Sequence, residues 1–84
     1  MPPDASRLIA YADSRKMAWM WRYRKIGDQW EAEVDLHFPD GGANPRWSGK
    51  GDNPQDAVDN ATEQAIWYWE SARDTQRSHM RPGC

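Results

Sequence analysis

An 84-residue chain with 38% apolar and 29% charged residues has room for one soluble domain with a single modest core. Its longest apolar runs, Met17 to Trp21 and Ala65 to Trp69, are too short to span a membrane, and its start, MPPDASR, has no leader-like apolar stretch. A formal net charge of −2 with one strongly acidic segment, residues 52–72, points to a surface field confined to one element. One cysteine, Cys84, stands last, which leaves no internal disulfide and predicts a reducing, cytoplasmic setting. Six Trp, three Tyr and one Phe predict a core built on large rings in place of many aliphatics.

Residues 2–16 read as a short helix. Pro2 and Pro3 precede Asp4 as a cap, and Ala5, Leu8, Ile9 and Ala12 recur at helical spacing. Taken alone, Leu8 to Tyr11 would also suit a strand. Residues 17–26 and 29–38 form a β-hairpin closed by Gly27-Asp28, with glycine at the first turn position. A two-residue loop pairs Ile26 with Gln29, Arg24 with Glu31, Arg22 with Glu33 and Trp21 with Val34. Alternation then sets Trp19, Trp21 and Tyr23 on one face with Trp30, Ala32, Val34 and Leu36. Arg22, Arg24, Glu31, Glu33 and Asp35 share the other.

Residues 38–44, which include Pro39-Asp40-Gly41-Gly42, form a loop. Residues 45–51 follow as a third strand, with Trp47 inward between Arg46 and Lys50. Asn53-Pro54-Gln55-Asp56 supplies a cap, a first-turn proline and a first-turn acid. The helix it opens runs to about residue 74, with Ala57, Val58, Ala61, Ala65, Tyr68, Trp69 and Ala72 as its apolar face. Residues 75–84 read as a flexible tail. The expectation is one α+β domain over residues 1–84, ordered α-β-β-β-α. Helix 2–16 leads into a three-stranded antiparallel sheet, 17–51, and a long C-terminal helix, 53–74, packs on the Trp-rich face of that sheet.

Charge is segregated along the chain. Residues 1–25 carry six basic and two acidic groups, residues 26–51 two and five, and residues 52–72 none and five. Residues 73–84 carry three basic groups and one acidic. On the last helix Asp56, Asp59, Glu63, Glu70 and Asp74 line one stripe with Trp67, opposite the apolar face. No lysine is interleaved at the spacing that supports solvated helices, and an outward Trp is a typical interface anchor. The stripe is the candidate partner-binding surface. A solvated outer helix face presents a charged stripe as well, so both readings stand.

Catalysis has little to work with. His37 and His79 have no Ser or Cys partner in sequence, and Cys84 is terminal. Two scattered His and one Cys do not make zinc-ligand spacing. Gly49-Lys50-Gly51 lacks the remaining glycine and the Lys-Ser/Thr ending of a phosphate loop and reads as a strand end. Glu31 and Glu33 each face an arginine, as cross-strand ion pairs do. No enzyme, cofactor or metal site is expected. Trp19, Trp21, Arg22, Tyr23, Arg24 and Lys25 interleave rings and bases as a nucleic-acid stacking platform would. Alternation sends the rings and arginines to opposite faces, however, so core packing is preferred and no direct nucleic-acid binding is expected.

The α-β-β-β-α order, with Gly49-Lys50-Gly51 before the last helix, is similar to a double-stranded-RNA-binding domain. That family reads phosphates with lysines at the start of the last helix. This chain has Asn53-Pro54-Gln55-Asp56 there, so the resemblance does not bring the activity with it. Trp30-Glu31-Ala32-Glu33-Val34, followed by the stretch from Gly51 to Ala61, looks like the core of a HicB antitoxin. The likeness implies a three-stranded sheet and a helix opened in the same style. A preceding helix and a missing DNA-binding extension depart from that pattern. In general profile the chain looks like small phage-encoded inhibitors of bacterial defence, anti-CRISPR proteins among them. Those are often single-domain, cytoplasmic, cysteine-poor and non-enzymatic, and several present acidic surfaces to nucleic-acid-binding grooves.

The expectation is therefore a non-enzymatic, anti-CRISPR-like inhibitor, cytoplasmic in a bacterial host, monomeric or weakly dimeric, without cofactor or membrane. Its partner would be a basic nucleic-acid-binding subunit of a host defence complex, met by Asp56, Asp59, Glu63, Trp67, Glu70 and Asp74. Two alternatives stand beside it. One is a HicB-like antitoxin or regulator pairing with a small toxin, and the other an RNA-binding module using Arg22, Arg24 and Arg46.

Overall fold

A computed structural model of the chain describes residues 2–41 and 45–79, with side chains through residue 71. Helix α1 spans Ser6–Arg15, strand β1 Ala18–Ile26, β2 Gln29–His37, β3 Arg46–Gly51 and helix α2 Pro54–His79. The strands form one antiparallel sheet in the order β1-β2-β3. The class is α+β and the order α-β-β-β-α, as expected. Residues 75–79, expected as tail, continue α2. The expectation for residues 80–84, Cys84 included, lies outside the described residues.

α1 is shorter at both ends than its periodicity suggests. Its N-cap is Ala5, and the preceding Asp4 carboxylate accepts from the Ser6 hydroxyl at 2.8 Å and the Ser6 amide at 3.2 Å. Those two bonds, the hydroxyl's foremost, hold the Asp4 carboxyl below its ordinary value. At the other end Lys16 turns left-handed, with φ 58°. The Lys16 and Met17 amides then donate back to the Asp13 and Ala12 carbonyls, closing the helix as a Schellman motif does. That turn delivers Met17 into the core at the foot of β1.

The hairpin register is the one that alternation requires. Ile26 pairs with Gln29, Arg24 with Glu31, Arg22 with Glu33 and Trp21 with Val34. Gly27 has φ 60° and Asp28 is not left-handed, which is the type II′ connection that demands glycine at the first position. On the other side of β2, Trp47 pairs with Val34 and Gly49 with Ala32.

Both helices pack on the face that bears these inward residues, and they run in the same direction. Near the start of α2, the Gln55 side-chain amide accepts from the Asp4 N–H at 2.9 Å and donates to the Asp4 carbonyl at 3.0 Å. Further along, Arg15 pairs with Glu70 at 2.9 Å.

The core itself is aliphatic. Leu8, Val34, Leu36 and Val58 supply its bulk, Met17 closes one end, and Ala5, Ala12, Ala32, Ala57, Ala61 and Ala65 fill the rest. Trp21, Trp30, Trp47 and Trp69 are only partly buried against it, while Trp19 and Tyr23 are 39% and 40% exposed. The expectation of a ring-built core is thus corrected, and the reason is the separation of α2 from β3. Gly49 is buried, and a Cβ there would meet the Ala61 amide nitrogen and lie 2.9 Å from the Ala57 carbonyl oxygen. Alanines fit an interface that close; indoles do not. Thr62, left out of the expected apolar face, is 2% exposed and completes this packing.

Gly49→Ala therefore overpacks the helix–strand contact and should cost about 1–3 kcal/mol. Lys50→Ala, on the exposed neighbouring residue, should change stability by less than about 0.5 kcal/mol. Urea denaturation of both variants is the check, and equal losses would place α2 elsewhere.

Candidate functional site

In a hairpin with a two-residue turn, the residues flanking the turn form a hydrogen-bonded pair and bonded pairs alternate from there. Ile26 and Gln29 flank this turn, so the register leaves the backbone groups of Arg46, Ser48 and Lys50 pointing out from the β3 edge. α2 closes that edge with side chains. Asn60 donates to the Lys50 carbonyl at 2.6 Å, and Gln64, one turn on, donates to the Ser48 carbonyl at 2.8 Å.

Above these two bonds an open groove of about 590 Å³ lies between α2 and β3. Trp47 from the strand and Tyr68 from the helix form its apolar wall, their ring centroids 5.3 Å apart and tilted by 52°. Glu63 and Trp67 line the helix side and Lys50 the strand side. Tyr68 was expected to face the core; it is 45% exposed, because the narrow helix–strand spacing leaves no room beneath it. The aromatic row continues edge-on from Tyr68 to Trp69 at 5.3 Å and from Trp69 to Phe38 at 5.4 Å. The Trp69 indole N–H donates to the Leu36 carbonyl at 2.8 Å, past the end of β3. That bond anchors the row at Trp69.

The acidic stripe is divided by its surroundings. Asp56 lies at the head of α2, accepting from the Asn53 side chain at 3.1 Å while its own amide donates to that side chain at 2.9 Å. Asp59 accepts from Gln55 at 3.0 Å. Both carboxylates are exposed, and neutral partners leave their charge intact. Glu63 is exposed on the groove wall beside Trp67, which at 69% is the most exposed large apolar residue among the described residues. Glu70 is different: Arg15 neutralises it and is itself laid over the Tyr11 ring at 4.5 Å. The Asp74 and Ala72 side chains lie outside the described residues. The structure thus brings Glu63 and Trp67 together with three residues the sequence did not single out for a site, Trp47, Lys50 and Tyr68. Only the pairing of β3 with α2 could have revealed that.

The outer face of the sheet is an ion-pair ladder. Arg22 pairs with Glu33 at 3.0 Å and Arg24 with Glu31 at 3.2 Å, as expected. Arg46 extends the ladder, reaching Asp35 at 2.9 Å and Glu33 at 3.4 Å. The Asp35 bond, more than any other influence, holds the Arg46 guanidinium above its ordinary value. Among the described residues, no three His, Cys, Asp or Glu side chains converge as a metal-ligand set. No helix among them is long and apolar enough to cross a membrane. Compared with known proteins, the chain matches no family model, no curated protein and no solved structure.

Exposure and bonding separate two neighbouring indoles. Trp67→Ala should change folding stability by less than about 0.5 kcal/mol. Trp69→Phe strips the Leu36 carbonyl of its donor and should cost about 1–3 kcal/mol. Thermal or urea unfolding of the two variants checks this; a larger loss at Trp67 would mean that its ring is packed.

Proposed function

We propose that the chain is a non-enzymatic protein-binding module that docks on a basic, nucleic-acid-binding surface, as a small inhibitor of a bacterial defence complex would. The observation that carries this reading is the juxtaposition of Trp67, 69% exposed, with Glu63, which has no ion pair among the described residues, on the wall of an aromatic groove. A large exposed ring costs solubility when it stands alone and supplies an interface anchor when a partner covers it. Asp56, Asp59 and Glu63 give the surrounding helix surface a negative field that steers a Lys/Arg-rich partner toward that ring. Glu70 is set aside from the docking surface, since its charge is already met by Arg15. The RNA-binding reading has less support, because Arg22, Arg24 and Arg46 are each paired with a carboxylate.

The test is capture from a bacterial lysate, followed by binding kinetics on the captured protein with Glu63→Lys and Trp67→Ala variants of unchanged circular dichroism. The captured partner should be a basic nucleic-acid-binding protein, and each variant should weaken binding at least about tenfold, or 1.4 kcal/mol. Glu63→Lys should act mainly on the association rate and Trp67→Ala mainly on dissociation. Full binding by both folded variants would show that the helix face is merely solvated.

A further inference from the structure

The two edges of the sheet are treated differently. The β3 edge has two of its outward carbonyls taken by Asn60 and Gln64. The opposite edge is β1, nine residues long, with Trp19, Met20, Tyr23 and Ile26 exposed. By the same alternation, Trp19, Trp21, Tyr23 and Lys25 turn their backbone N–H and C=O groups away from β2. None of those groups meets a partner among the described residues. The strand has no proline, its pairing with β2 runs without a bulge, and among the described residues no helix side chain hydrogen-bonds to its edge. A bare edge of this length invites another strand.

We propose that β1 pairs antiparallel with β1 of a second copy of this chain, about a two-fold axis at Arg22, giving a continuous six-stranded sheet. Arg22 is the midpoint of Ala18–Ile26, so this register uses the whole strand. It sets Trp21 opposite Tyr23 of the second copy, Trp19 opposite Lys25, Met20 opposite Arg24 and Ala18 opposite Ile26. Trp19, Trp21, Tyr23 and Lys25 then face their own outward groups across the axis, making about eight backbone hydrogen bonds. The rings are arranged for it: Trp21 and Tyr23 already stack at 6.0 Å and 16°, and Tyr23 leans on Trp30 at 6.0 Å. Cross-strand aromatic pairs and a cation over an indole both favour such a register. The two central arginines do not forbid it, since Glu33 pairs with each Arg22 at 3.0 Å and Glu31 with each Arg24 at 3.2 Å. Charges already met within each copy also remove the need for an acidic strand from elsewhere. This surface is separate from the α2 groove, so it stands whether or not that groove binds a protein.

Sedimentation equilibrium of the full chain should show a reversible dimer in the micromolar range. Tyr23→Pro removes an outward N–H while sparing the bonds to β2, a placement that edge strands tolerate, and should leave a folded monomer. Tyr23→Thr keeps that N–H and should retain a weakened dimer. The register is read independently by oxidative cross-linking in a Cys84→Ser background. Arg22→Cys sets two thiols in a non-hydrogen-bonded pair with Cα atoms about 4.5 Å apart, within disulfide reach, and should give a covalent dimer. Lys25→Cys should not. A chain that stays monomeric throughout overturns the proposal, as does a dimer that ignores Tyr23→Pro and fails to cross-link through Arg22→Cys. A monomer that binds an extended Glu/Val-alternating peptide along β1 would overturn the choice of occupant.

Discussion

The close approach of the α2 backbone to β3 is the constraint on which the rest of the molecule depends. Gly49 is buried with the Ala57 and Ala61 backbone where a side chain would stand, so the facing helix stripe must be small. Ala57, Ala61 and Ala65 satisfy it, each fully buried. The contact is dense but low in volume. Leu8, Val34, Leu36 and Val58 are the large aliphatics that remain inside, each supplying about 1.5–3 kcal/mol by burial. Further stabilisation comes from the perimeter, through the Trp69–Leu36 hydrogen bond and the ties from Gln55 to Asp4 and Arg15 to Glu70.

With the helix–strand contact too close for indoles, the rings go to the rim, and the rim has two sides. Beside β3 the helix that displaces them also covers the strand edge with Asn60 and Gln64, and Trp47, Tyr68 and Trp67 become the walls of a groove. Beside β1 no element among the described residues plays that part, so Trp19, Trp21 and Tyr23 border an edge left unpaired by them. Charge follows the same division. The outer sheet face is neutralised by its own ladder from Arg24 to Asp35. The first half of α2 keeps its negative charge, since among the described residues Asp56 and Asp59 meet only neutral groups and Glu63 stands exposed.

Local chemistry was legible in the sequence, and distance was not. Glycine at the first turn position together with strict alternation determines every pair from Ala18–His37 to Ile26–Gln29. The cap-proline-acid run at Asn53 opens α2 where expected, at Pro54. Periodicity also assigned the correct face to Trp21, Trp30 and Trp47. It carries no information on depth, which depends on how near the helix stands, and that is decided by a glycine that reads from sequence as a strand end. The Arg15–Glu70 bridge was hidden for a related reason. Both residues lie on helices whose individual patterns say nothing of the direction in which one crosses the other. The groove needed both pieces of knowledge, since Lys50 and Trp47 come from a strand and Glu63, Trp67 and Tyr68 from a helix.

Residue-resolved hydroxyl-radical footprinting of the dilute chain measures ring depth directly. An aliphatic core with its rings at the rim predicts that Trp67 reacts nearly as fast as in the unfolded chain, with Trp19 next. Trp21, Trp30, Trp47 and Trp69 should react at intermediate rates, and Leu8, Leu36 and Met17 should be the protected residues. Protection of Trp21 and Trp47 to the level of Leu36, with a slow Trp67, would contradict it and restore a core built on aromatic rings.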